Sequence, residues 1–156
     1  MIYPQDIMDA LAALIRDKFP GEEVYMDRVP VDFKRPSTLV ELGQPWKTDI
    51  HMGTQAIELR PVITMTTFVV VDEYHHSHLR ELNRRQMVLT GLLLPGYIRV
   101  QDRAPKVVGL ELEGGWDFAA AKATFSYTLS RADFETIPQA PVMEDLHTRM
   151  EATTYG

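Results

Sequence analysis

Apolar residues at Ile7, Leu11, Leu14, Ile15 and Phe19 recur at helical spacing, so positions 4–19 are expected to form an amphipathic helix. Pro4 suits its first turn, Asp6 and Asp9 lie near the positive end of its dipole, and Pro20-Gly21 stops it. Positions 24–29 predict a short strand, with Val24 and Met26 on one face and Tyr25 on the other. A loop over 29–36 carries two prolines, and positions 37–42 predict the next strand. Gly43, Pro45 and Gly53 then mark 43–54 as a loop or hairpin tip, with Trp46 in it.

Positions 56–72 form the longest strand-like run. Ile63, Met65, Thr67, Val69 and Val71 alternate with Val62, Thr64, Thr66, Phe68 and Val70, which predicts a central strand covered on both sides, bent or at an edge near Pro61. A second helix is expected over 75–94, with Leu79, Leu82, Gln86, Leu89 and Leu93 as its buried stripe and Pro95-Gly96 as its stop. A short strand over 97–100 follows.

Over 106–113, Val108, Leu110 and Leu112 point inward and Gly109, Glu111 and Glu113 outward. Gly114-Gly115 joins this strand to another over 116–130, a hairpin. Trp116 and Phe118 fall on the polar phase of that second arm. Either a bulge near Phe118 reverses the phase, or the two aromatics face outward as a partner surface. Past Pro138 and Pro141, the spacing of Met143, Leu146 and Met150 predicts a short helix on a proline-tethered arm, 138–156.

Helix, strands, long strand, helix, hairpin and short helix, without repeated βαβ units, make an α+β fold with a mainly antiparallel sheet. At 156 residues, 45% of them hydrophobic, the chain suits a single domain, 1–156. A formal charge of −6, with Lys34-Arg35 and Arg84-Arg85 as the adjacent basic pairs, argues against direct nucleic-acid binding, although an acidic wall lets DNA slide past it. The absence of cysteine excludes disulfides, thiolate zinc sites and cysteine nucleophiles, and fits a reducing compartment. The N-terminal residues do not read as a signal peptide and no apolar run is long enough to span a bilayer, so a cytoplasmic product is expected.

Two groups of residues invite a chemical reading. His75 and His78 are neighbours on one helix face, with His76 about 100° away, and two imidazoles can hold zinc or nickel if His51, Glu81 or Asp72 supplies a third ligand. The competing reading is a solvated start to the helix, and no complete ligand pattern is present. Glu111 and Glu113 share a strand face, as a solvated pair of carboxylates also does. Nucleophile elbows, phosphate loops and dinucleotide fingerprints are absent. Neither a catalytic residue nor a cofactor is therefore expected, and the chain reads as non-enzymatic.

The opening helix ending in Phe19-Pro20, the Val24-Tyr25 strand, the run Arg35-Pro36-Ser37-Thr38-Leu39-Val40 entered through proline, the long apolar strand, the leucine-striped helix, the hairpin and the Met/Leu-bearing tail follow one another in an order that resembles the phage tail terminator family. These proteins are also called tail completion or head–tail joining proteins. The resemblance implies a small subunit that forms a six-membered ring, caps the tail tube, stops its polymerisation and meets the head–tail connector. It implies a virion protein at the head-proximal end of the tail, with DNA passing through the ring without specific binding. The family supplies no invariant site, and His75, His76 and His78 belong to no pattern of it. Ring contacts are heterologous, with two different patches on each subunit. One is expected around Phe33 and Trp46 and the other near Trp116 and Phe118, with Met143 and Leu146 as further candidate interface residues. The alternatives are another connector component (a head completion or stopper protein), a histidine-based metal enzyme, or a bacterial adaptor.

Overall fold

The computed structural model describes residues 1–43, 47–51, 56–74 and 78–135. The first helix, α1 (Pro4–Lys18), starts where the Asp6 carboxylate accepts the Tyr3 N–H at 2.7 Å, so the side chain satisfies a donor just outside the first turn. It buries Ile7, Met8, Leu11, Ala12 and Ile15, while Leu14 stays half exposed. Gly21, at φ +79°, turns the chain after Phe19-Pro20 into β1 (Glu23–Met26).

The strands that follow are β2 (Ser37–Leu42), β3 (Lys47–His51), β4 (Ala56–Arg60), β5 (Val62–Phe68), β6 (Lys106–Gly114) and β7 (Ala119–Ser130). The second helix, α2 (Leu79–Leu93), lies between β5 and β6, and a five-residue helix, α3 (Arg131–Glu135), follows β7. The fold is α+β with a mixed sheet ordered β1-β2-β5-β7-β4-β3, and β6 lies along the other edge of β7. Every pairing is antiparallel except that of β1 with β2.

Twelve-residue β7 is the spine. Along one edge its residues 119–124 pair with β5 and its residues 127–130 pair with β4. Pro61 sits at the junction, and its carbonyl accepts the Phe125 N–H at 2.9 Å. A proline has no N–H to give to the ladder, so the long run predicted over 56–72 breaks there into two strands, and β5 takes the central place. Segment 43–54, expected to be loop or hairpin tip, contains β3, which pairs with β4 in register from Lys47↔Arg60 to His51↔Ala56.

The helices cover one face of the sheet. Val40, Ile63, Met65, Ala121, Ala123, Phe125 and Tyr127 are buried there with Leu11, Ile15, Leu89 and Leu93. The opposite face carries Thr64, Thr66, Lys122, Thr124, Ser126 and Thr128, none of them fully buried. β5 is thus covered on one side and half open on the other, not enclosed as expected. Threonine fits such a face, offering a methyl group to its neighbours and a hydroxyl to water. No helix among the described residues is long and apolar enough to cross a membrane.

Candidate interaction surfaces

The loop between β1 and β2 folds back over the open face. The Phe33 ring lies 4.9 Å from that of Phe68 and 6.4 Å, edge-on, from that of Tyr25, whose hydroxyl accepts the Lys34 N–H. The Arg35 guanidinium sits over both phenylalanines, 4.7 and 5.3 Å from their centroids. From there Nη1 donates to the carbonyls of Val69 at 3.1 Å and Asp117 at 3.3 Å. Asp117 belongs to the turn between β6 and β7, so Arg35 joins the Phe33 loop to the turn that carries Trp116. Phe33 and Trp116, expected to belong to different patches, are thus connected through Arg35.

That turn also explains the broken phase of the second hairpin arm. β7 begins at Ala119, and 115–118 form a loop closed by the Gly115 N–H to the Phe118 carbonyl at 2.9 Å. Trp116, 69% exposed, and Phe118, half buried, therefore belong to the turn and not to a strand face. The bulge lies in the other arm, between Val107 and Gly109, where the register with β7 shifts by one residue. It puts Val107 beside Phe125 on the helix face, returns Leu110 and Leu112 to that face, and leaves Val108 outward. Leu110 and Leu112 are nevertheless 39% and 45% exposed.

β6 is an edge. Its inner side pairs with β7, and between Val108 and Leu112 no backbone group of the described residues bonds its outer side. Alternate N–H and C=O groups of such a strand point outward unpaired. At its start β6 continues a smaller hairpin: Ile98 N–H to Pro105 O, Val107 N–H to Gly96 O, and a reciprocal pair between Val100 and Arg103 around Gln101 at φ +56°. Strict alternation gives that hairpin two faces. Ile98, Val100 and Pro105 are buried, while Tyr97, Arg99, Ala104 and Lys106 face out and line a shallow concavity of about 360 Å³ with Gly96. This basic, aromatic surface escaped the sequence reading, although the alternation of Tyr97, Ile98, Arg99 and Val100 displays it.

A polar cluster ties α2 to the end of α1. Arg85, with its side chain 3% exposed, donates from Nε to Thr67 Oγ1 at 2.7 Å and from both Nη atoms to the Glu22 carboxylate at 3.0 and 2.5 Å. Its plane stacks 4.0 Å from the Phe19 ring. Next to it the Arg84 side chain hydrogen-bonds Glu81 and holds that carboxyl below the usual carboxylate range. Each of these acids has an arginine of its own, which makes the cluster a fastening and not a reactive pair.

His78 precedes α2, and His75 and His76 lie outside the described residues. Of the further ligands considered, Glu81 is engaged by Arg84, and Asp72 accepts the Tyr74 N–H at 2.9 Å. Among the described residues no group of three His, Asp or Glu is arranged to hold a metal. Glu111 and Glu113 are exposed and share the open face. Trp46, Met143, Leu146 and the helix expected near 142–150 lie outside the described residues. Compared with known families and curated proteins, the chain matches no family model and no curated sequence.

Proposed function

We propose that the chain is a structural phage tail terminator subunit that assembles into a six-membered ring on the end of the tail tube, ends tube polymerisation and presents the joining surface to the head connector. The work is done by surfaces, without a catalytic residue or cofactor, at the head-proximal end of the tail, and DNA passes through the ring without specific binding.

The observation that carries this reading is the uncovered edge of β6. A strand of nine residues offers unpaired backbone groups on its outer side and two half-exposed leucines on its flank, which suits a surface that assembly covers. The order of elements that underlies the resemblance supports it as well.

Native mass measured over a concentration series, with the tail tube protein then added, tests the reading. A discrete six-subunit species that caps tubes and halts their growth is expected. A chain that stays monomeric at every concentration and leaves tube growth unchanged refutes it.

A further inference from the structure

We propose that the contact between neighbouring copies joins opposite ends of β6: the basic face of the 96–107 hairpin on one copy receives the acidic tip of the β6–β7 hairpin on the next. The inference rests on the reading that the chain assembles with itself, and names the two surfaces involved.

The register places both ends on one face. Lys106 lies opposite Ser126, Glu111 opposite Lys122 and Glu113 opposite Ala120, all on the open side of the sheet. Tyr97 faces Lys106 across the smaller hairpin, and Arg99 follows on the same side. The concavity at this end is lined by Gly96, Tyr97, Arg99, Ala104 and Lys106, and the adjoining one, about 340 Å³, shares Ala104 and Lys106 and adds Arg103 and Ser126. Among the described residues no carboxylate lines either. Arg103 is held by Asp133 and the Thr128 carbonyl, which leaves Arg99 and Lys106 as the cations on offer.

At the other end stand Glu111, Glu113 and Asp117, all exposed, beside Trp116. Lys122 lies across from Glu111 and forms no ion pair with it. Lys106 and Glu113 pair with Ser126 and Ala120, six steps apart on β7, which is about 20 Å at the rise of an extended strand. The two ends are thus too far apart to neutralise each other within a copy. Like ends repel, so the contact sets the basic end of one copy against the acidic end of another. Repeated head to tail, that pairing gives the heterologous geometry a ring needs.

Two double variants test the pairing: R99E with K106E, and E111K with E113K. The first makes both ends acidic and the second makes both basic. Light scattering on purified protein is expected to show self-association weakened about tenfold or more in each, with unchanged thermal melting. Mixing them one to one restores complementary ends at every contact, so the mixture is expected to form a ring of alternating copies. If the native chain assembles and both variants assemble as it does, the contact lies elsewhere and the ring reading stands. A native chain that stays monomeric at every concentration and leaves tube growth unchanged overturns both. Should a short DNA duplex bind the native chain, and lose binding only in the R99E and K106E variant while E111K and E113K assembles normally, the basic face is a phosphate site and the pairing is wrong.

Discussion

Tyr127 places a phenol in the apolar groove between α1 and the β4–β7 end of the sheet, lined by Ile2, Leu42, Leu59, Leu129 and Phe134. Its hydroxyl donates to the Ile2 carbonyl at 3.3 Å. Burial pushes its pKa up to about 12; Asp6 adds to the shift and Arg103 opposes it. An unfolded tyrosine titrates near 10. Below that pH both states keep the proton and the group adds no pH dependence. Between pH 10 and 12 the unfolded chain releases the proton while the folded one holds it, so stability falls, by about 1.4 kcal/mol per pH unit and up to about 2–3 kcal/mol in all. Urea midpoints from pH 9 to 12 are expected to drop more steeply for the native chain than for Tyr127→Phe. Parallel curves would show that the phenol is not the group responsible.

Arg85 makes the opposite commitment, taking a full charge into the contact between helix and sheet. Its fork meets Glu22, its Nε meets Thr67 and its plane meets Phe19, so geometry as well as charge is used. A lysine keeps the charge and loses the fork and the stacking. Arg85→Lys is expected to cost about 1–3 kcal/mol in urea unfolding, and Arg85→Ala about 3–5 kcal/mol, because Glu22 then stays without its partner. Equal costs for the two would mean that the fork and the stacking alone matter and that the charge adds nothing. From sequence, Arg85 was only half of a basic pair, since its burial depends on Glu22, 63 positions away.

Elements differ in how much of themselves they carry locally. β2 came out at the expected residues, 37–42, because Pro36 and Gly43 bracket a run centred on Thr38, Leu39 and Val40, in which Thr38 and Val40 favour strands. α1 did too, to within a residue, because its stripe and its stops agree. β3 was hidden, since its strand character comes from pairing with β4 and the glycines and proline around it dominate the local signal. In β6 the alternation was plain and its phase was wrong at Val108, because a bulge depends on the register of the partner strand. The β6–β7 turn is legible in part. Gly114-Gly115 announces it, and Gly115 is required there because a Cβ would stand 2.5 Å from Phe118 Cε1. Gly115→Ala is therefore expected to displace the Phe118 ring and cost about 1–2 kcal/mol in thermal or urea unfolding. Phe118→Ala removes the clash, so the glycine change should cost less in that background; undiminished cost would place the strain in the backbone.

At the scale of the whole molecule two electrostatic effects oppose each other. Every copy carries a formal −6, so assembly gathers like charges, while the proposed contact sets unlike ones together. Their ranges differ. A chain of this length has a radius of gyration of about 15 Å, which puts the centres of touching copies roughly 40 Å apart. Repulsion over that distance acts at 0.01 M salt, where the screening length is about 30 Å, and is largely gone at 0.15 M, where it is about 8 Å. Ion pairs within about 4 Å survive that change and weaken only as the screening length approaches about 3 Å near 1 M. Self-association is thus expected to strengthen from 0.01 to about 0.15 M salt and to weaken again toward 1 M, retaining what Leu110, Leu112 and Trp116 contribute through apolar burial. Sedimentation velocity across that series reads the curve directly. Association rising all the way to 1 M would mean that apolar burial alone holds the copies together, with the charges on β6 serving only to keep its edge soluble.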